Sequence, residues 1–208
     1  MKITSVEKNR KNKDKLSVYI DNQYCFTIPE EDFLRLNLYE KSEISQDEVA
    51  YIRSEVLFRE AKSVAVKFLS MRLRSEGEVR KKLEDEGFDN TVIDQAIEEL
   101  QSVGYINDKI YVQKYLYDRS KLKPKSKKLL KLELQSRGIR EEIIDSILDE
   151  WDLDEELVAE GLVRKKFGKY DLQHEKIMRR VYMFLKHRGF SYELANRIIQ
   201  KMINGTDD

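Results

Sequence analysis

The spacing of apolar positions along this 208-residue chain changes near residue 45. Before that point, "KITSVE", "KLSVYID" and "QYCFTI" are short, rich in β-branched and aromatic residues, and partly alternate apolar with polar. That pattern predicts three strands, joined by a polar turn over Lys8–Lys15 and a tight turn at Asp21–Gln23, with Pro29 ending the last. After it the spacing is helical. Ser45 with Glu48, and Ser75 with Glu78, have the form of capping boxes. Asp89, Asn107 or Asp108, and Ser191 are suited to cap later helices, and Pro124 to start one.

The helical part repeats. Gly87, Gly138 and Gly189 are 51 residues apart, each followed by an apolar residue: Phe88, Ile139, Phe190. Leu83, Leu134 and Leu185 stand four positions before each glycine, and Val79, Leu130 and Val181 eight before. Val92–Ile93, Ile143–Ile144 and Leu194–Ala195 follow, then Ile97, Leu148 and Ile199. The columns before each glycine mark one face of a helix and those after it one face of the next. The glycine between them suits the left-handed residue after a helix end. A third helix is expected before each pair, aligned on Leu69, Leu116 and Val163 at a spacing of 47, with Arg72, Arg119 and Lys166 at its end. On that alignment the link from first to second helix lengthens by about one helical turn per unit.

The fold expected is mainly α: three tandem three-helix repeats stacked into an elongated, curved solenoid, with a small N-terminal antiparallel β segment. Its expected parts are a β-rich extension (1–44), a long helix from about Gln46 with the first repeat (45–107), and second (108–153) and third (154–208) repeats.

Charge changes the picture only when it is located. Lys plus Arg and Asp plus Glu number 39 each, which argues against a polyanion binder held by bulk charge. The charges are nevertheless blocked: "RSKLKPKSKKLLK" (119–131) has seven basic residues and no acidic one, whereas 141–160 has ten acidic and no basic. "VRKKFGKY", "KIMRR" and "KHRGF" make the third repeat basic. Charged helices also solvate outer faces, and acids in a first turn offset the helix dipole, so each block has a plain reading too. The basic blocks fall near links between first and second helices, where they would line one side of the arc.

Candidate chemistry is sparse. Cys25 is the single cysteine, best read as a small buried thiol, and His174 and His187 lie in no metal spacing. There is no phosphate-binding glycine loop, and Trp151 reads as a packing residue. No catalytic set, metal or cofactor is expected. One cysteine, no apolar N-terminal leader and no run approaching a membrane span point to a cytoplasmic protein.

Four stretches carry a resemblance: "FLSMRLRSEGEVRKKLEDEGFD" (68–89), "IEELQSVGYINDKIYVQKYLYDR" (97–119), "LLKLELQSRGI" (129–139) and "FLKHRGFSYELANRII" (184–199). They resemble the RecX family, bacterial regulators of the RecA recombinase. The resemblance implies three three-helix repeats and a non-enzymatic protein active in DNA repair, homologous recombination and the SOS response. It implies binding in the groove of the RecA–single-stranded-DNA filament, with restraint of ATP hydrolysis, filament growth and strand exchange. Partners would be the RecA filament and single-stranded DNA, with duplex DNA as a weaker option, and the protein a monomer.

The contact candidates are Arg72, Arg74, Arg119, Lys123, Lys125, Lys127, Lys128, Lys165, Lys166, Arg179, Arg180, Lys186 and Arg188, with His187 beside the last two. Reversing Lys125, Lys127 and Lys128 to glutamate is expected to weaken filament binding far more than it disturbs folding. Two other classes compete. One is a helix-turn-helix transcription regulator reading DNA with residues 191–203, although Glu193 stands where a major-groove reader presents Arg, Asn, Gln or Lys. The other is a solenoid adaptor for a different protein.

Overall fold

The structure, a computed structural model, describes residues 1–204. The chain divides into two compact units, Met1–Asn107 and one that begins at Asp108. Among the described residues no helix is long and apolar enough to cross a membrane.

The first unit opens with strands β1 (Ile3–Lys8), β2 (Lys15–Ile20) and β3 (Gln23–Pro29), an antiparallel sheet in sequence order. The tight turn between β2 and β3 has Asp21 and Asn22 both at positive φ, 50° and 63°. This is the hairpin geometry that matches strand twist and that Asp and Asn tolerate. Helix α1 (Glu30–Arg35) follows, then a short 3-10 turn at Leu38–Glu40.

Helix α2 (Gln46–Tyr51) runs without a break through a π turn at Ile52–Leu57 into α3 (Phe58–Met71). The expected long helix and the first helix of the first repeat are therefore one rod, with no Gly or Pro between Gln46 and Met71 to end it. The π turn inserts one extra residue, so that Val49 before it, Ile52, Val56 and Leu57 within it, and Ala61 and Ala65 after it all face the same core. Helices α4 (Glu76–Asp85) and α5 (Asn90–Ser102) complete the repeat.

Both expected capping boxes form. Ser45 Oγ accepts from the Glu48 N–H at 3.1 Å while Glu48 accepts from the Ser45 N–H at 2.8 Å, and Ser75 pairs with Glu78 in the same way. Asp89 caps α5, its carboxylate accepting from the Val92 N–H at 3.0 Å.

The sheet is no loose extension. Leu16, Val18, Phe26 and Ile28 share one continuous core with Ala61, Ala65, Val79, Leu83 and Ile93. Polar contacts tie the same surfaces: Lys15 Nζ lies 3.1 Å from Glu60 and over the Phe88 ring, and Lys11 Nζ donates to the Asp85 carbonyl at the α4 C-terminus at 2.9 Å. Cys25 is half-buried beside Arg53, and burial raises its thiol pKa.

The second unit holds two three-helix repeats: α6 (Asp108–Leu122), α7 (Lys127–Gln135), α8 (Glu141–Glu150), then α9 (Glu155–Phe167), α10 (Glu175–Lys186) and α11 (Tyr192–Asn204). Each has its own core, around Val112, Leu116, Leu134 and Ile144 in one and Val163, Phe167, Leu185 and Ile198 in the other. Trp151 packs against the former. All the columns flanking the three glycines are buried except Ile143, which is half-buried. The glycines have φ of 89°, 75° and 84°, and each closes its helix with the same pair of backbone bonds. At the last, Gly189 N–H reaches Lys186 O at 2.9 Å and Phe190 N–H reaches Leu185 O at 3.2 Å, the Schellman arrangement.

The expected alignment of the first helices is corrected. Their fully buried positions are Ala61, Val112 and Val163, then Ala65, Leu116 and Phe167, all spaced by 51 and not 47. Leu69, chosen by size, is only half-buried, while two alanines occupy the core positions. Arg72, Arg119 and Lys166 therefore hold no common position. The links also do not lengthen steadily. Residues 72–75 and 123–126 are equal in length, and only 168–174 is longer, because α9 ends early before Gly168 by more than α10 starts early on its His174 cap. Pro124 lies in the link, and Ser126, 1% exposed, is the residue that caps α7.

Candidate nucleic-acid interface

The thirteen basic candidates differ in what their side chains already touch. Arg72 and Arg74 both reach Glu78, at 2.9 and 3.7 Å, and Arg74 also stacks 3.9 Å over Phe68. Lys125 and Arg119 converge on Glu133, which also accepts from Tyr115 Oη at 2.7 Å. Burial pushes the Glu133 pKa up, but these hydrogen bonds outweigh it and leave the carboxyl below its ordinary range. Lys127 donates its backbone N–H to Glu155 at 2.6 Å and its ammonium to the Leu148 carbonyl at 3.2 Å. These residues hold the fold. Reversing Lys125 and Lys127 to glutamate would bring like charges onto Glu133 and remove a bond to the α8 C-terminus, so the triple reversal confounds binding with folding.

A second group lies on the third repeat. Helix α10 buries Val181 and Leu185 and turns Lys176, Arg179, Arg180, Met183 and His187 outward. Together with Lys166, Phe167, Phe184 and Arg188 they line a groove of about 670 Å³ between α9 and α10. Phe184 is its centre. The Lys166 ammonium lies 4.3 Å and the Arg188 guanidinium 4.1 Å from the ring centroid, while Phe167 packs edge-on at 5.4 Å. The ring's negative faces hold two cations that would otherwise repel each other. Arg188 Nε is buried with no protein hydrogen-bond partner among the described residues. Arg180 lies 5.9 Å over Tyr170. The one acid of the lining, Glu175, is bound to Arg179 at 2.6 Å.

A neighbouring groove, also about 670 Å³, shares Lys166, Phe184 and Arg188 with the first and adds Lys123 and Lys165. Lys186 lies outside both, near the stacked pair Tyr182–Tyr192, and Lys128 is exposed on α7. The structure thus gathers Lys123, Lys165, Lys166, Arg179, Arg180 and Arg188 and leaves Arg72, Arg74, Arg119, Lys125, Lys127, Lys128 and Lys186 elsewhere. Lys121, Lys176 and Phe184 join the gathered set without having been singled out from the sequence. The first two sat inside recognised basic blocks. Phe184 carried only an apolar signal.

Cations in the last turn of α9 complement that helix's dipole, which lowers the cost of clustering them. The cluster presents positive charge beside aromatic and thioether surface, a chemistry suited to a flexible polyanion with π-faces. Helices α8 and α11, by contrast, begin with Glu141–Glu142 and Tyr192–Glu193, which is poor chemistry for reading bases in a major groove.

Comparison with known proteins covers most of the chain. A family model described as the regulatory protein RecX N-terminal domain matches residues 1–45. Models of the first, second and third RecX three-helix domains match 61–100, 107–148 and 154–199. Relatives include the regulatory protein RecX of Clostridioides difficile, 28% identical over 97% of this chain and 96% of that one. Another is the regulatory protein RecX of Clostridium perfringens strain SM101, 29% identical over 98% and 97%. A crystal structure of regulatory protein RecX matches at a TM-score of 0.61 over 95% of this chain and 98% of that one, at 24% identity, a likeness of fold. RecX from Lactobacillus salivarius matches at 0.58 over 70% of this chain and 96% of that one, at 25% identity.

Proposed function

From the premise that the chain belongs to the RecX family of regulatory proteins, we propose that it regulates RecA by binding the RecA–single-stranded-DNA filament and restraining its ATPase, growth and strand exchange. The observation that carries the DNA side of this reading is the α9–α10 groove. Its outward-facing cations lie along one helix beside an aromatic floor, and one lining acid is spoken for. In this reading Lys176, Arg180, Lys166 and Arg188 face phosphates, contacts that do not depend on base sequence. Regulation comes from occupancy of the filament and involves no chemistry on a substrate.

The test is the double reversal Lys176→Glu with Arg180→Glu, both exposed and outside the cores. Each phosphate contact to a single strand adds about 0.7 to the slope of log affinity against log salt, so losing two flattens that slope by roughly 1.4. Oligonucleotide binding across a salt series measures it, and DNA-dependent RecA ATPase reads the functional consequence. A folded double variant with the parent's salt slope and full ATPase inhibition would refute the reading.

A further inference from the structure

The groove beside the candidate nucleic-acid interface has a different chemistry. Leu122 and Leu157 protrude into it, 78% and 68% exposed, with Val158 and Leu162 at its wall. Flexible polyanions gain little from aliphatic side chains, whereas a protein segment buries them.

Between these residues lies Gly161, inside α9. Glycine in a helix interior is unfavourable relative to alanine unless something requires it. Nothing among the described residues does. Its backbone is ordinary helix, and a Cβ built there meets no atom within 4 Å. A bare backbone patch that the fold does not use fits close approach by something outside the chain.

The rim settles the charge of that occupant. Lys121, Lys123, Lys165 and Lys166 line the groove with Arg188, and among the described residues no carboxylate lines it. We propose that this groove docks an amphipathic helical segment of a protein partner, with an apolar stripe against Leu122, Leu157 and Gly161 and acidic residues facing the lysine rim. The site shares Lys166, Phe184 and Arg188 with the α9–α10 groove but not Lys176 or Arg180, and the inference stands whether or not RecA supplies the segment.

The test uses the full chain and two synthetic peptides, each with leucines at i, i+3, i+4 and i+7 and either glutamate or lysine at the remaining positions. The glutamate peptide binds and the lysine peptide does not. Gly161→Met, which adds a helix-favouring side chain into open space, raises the thermal midpoint of the free protein and weakens glutamate-peptide binding by about tenfold. Leu157→Ser weakens it by a similar factor, and both variants keep the parent's affinity for a single-stranded oligonucleotide. Failure of the glutamate peptide to bind, or equal affinity for both peptides, overturns the proposal. A lowered midpoint for Gly161→Met assigns the glycine to folding and overturns it too. Oligonucleotide affinity that falls in step with peptide affinity gives the groove to nucleic acid. The Lys176 and Arg180 reversals leave peptide binding intact, so the two readings fail separately.

Discussion

Gly189→Ala should cost far more than Gly87→Ala, although the two residues end equivalent helices with equivalent backbone. Both have φ near 85°, where an L-residue is disfavoured by about 1–2 kcal/mol. At Gly87 a Cβ would meet nothing within 4 Å, so that cost is nearly the whole effect. At Gly189 it would stand 2.4 Å from Ser126 Oγ and 2.5 Å from Leu129 Cβ, both on the N-terminal end of α7. Ser126 is buried, and its N–H is bonded to Arg188 O at 2.9 Å, so neither atom can rotate away without moving the helix. Overpacking of this kind adds about 1–3 kcal/mol. The expected totals are roughly 1–2 kcal/mol for Gly87→Ala and 2–5 kcal/mol for Gly189→Ala. Urea unfolding followed by Trp151 fluorescence is the assay for the second, because the single tryptophan packs on the core of the second repeat. With m of about 2 kcal/mol/M, 3 kcal/mol moves the midpoint by about 1.5 M. The circular-dichroism midpoint reads Gly87→Ala. Equal losses for the two variants would refute the claim that Gly189 is a docking point between repeats.

Glu133→Ala removes the carboxylate shared by Lys125, Arg119 and Tyr115, and should destabilise the protein by about 1–3 kcal/mol in urea titration, whereas Glu133→Gln, which keeps the tyrosine bond, should lose less. The Lys41 ammonium, with the Ser45 N–H, holds the Glu48 pKa down to about 2 from 4.5, so its contribution is fully present above pH 4.5 and is lost as pH falls toward 2. Thermal midpoints of the parent and Glu48→Gln should therefore differ at pH 6 and converge by pH 2, and a constant gap would disprove the link.

The repeat was legible because three features coincide at one spacing: a glycine that only the left-handed turn requires, an apolar residue after it, and apolar columns on both sides. Each encodes a local event. The first helices were misaligned because their core positions in the first repeat are Ala61 and Ala65. Small residues there carry little hydropathic signal, and Leu69 nearby carries more. The π turn at Ile52–Leu57 left no signature beyond a stripe that shifts by one residue. For the candidate site the basic blocks were visible, but which cations were free was not. Lys125 lies eight residues from Glu133, and Lys127 meets Glu155 across 28, pairings that only the fold creates.

The α9–α10 groove lies wholly on the third repeat, whereas its neighbour is built from two repeats. Arg188 accepts a backbone bond from Ser126 of the second repeat while its guanidinium caps Phe184 of the third. The neighbouring groove takes Lys121 and Leu122 from the end of α6, Lys123 and Pro124 from the α6–α7 link, and the rest from α9, α10 and the turn that follows it. Docking the end of α7 onto the Gly189 turn therefore positions Arg188 and completes the second groove in one step. The cores inside each repeat are almost wholly apolar, and the cations of both grooves lie at an open face, because there the long side chains can bury their stems and keep their charges hydrated. The same seam bears on a helix-turn-helix reading of residues 184–199. The turn is a seam between repeats, and the useful charge lies on the helix before it.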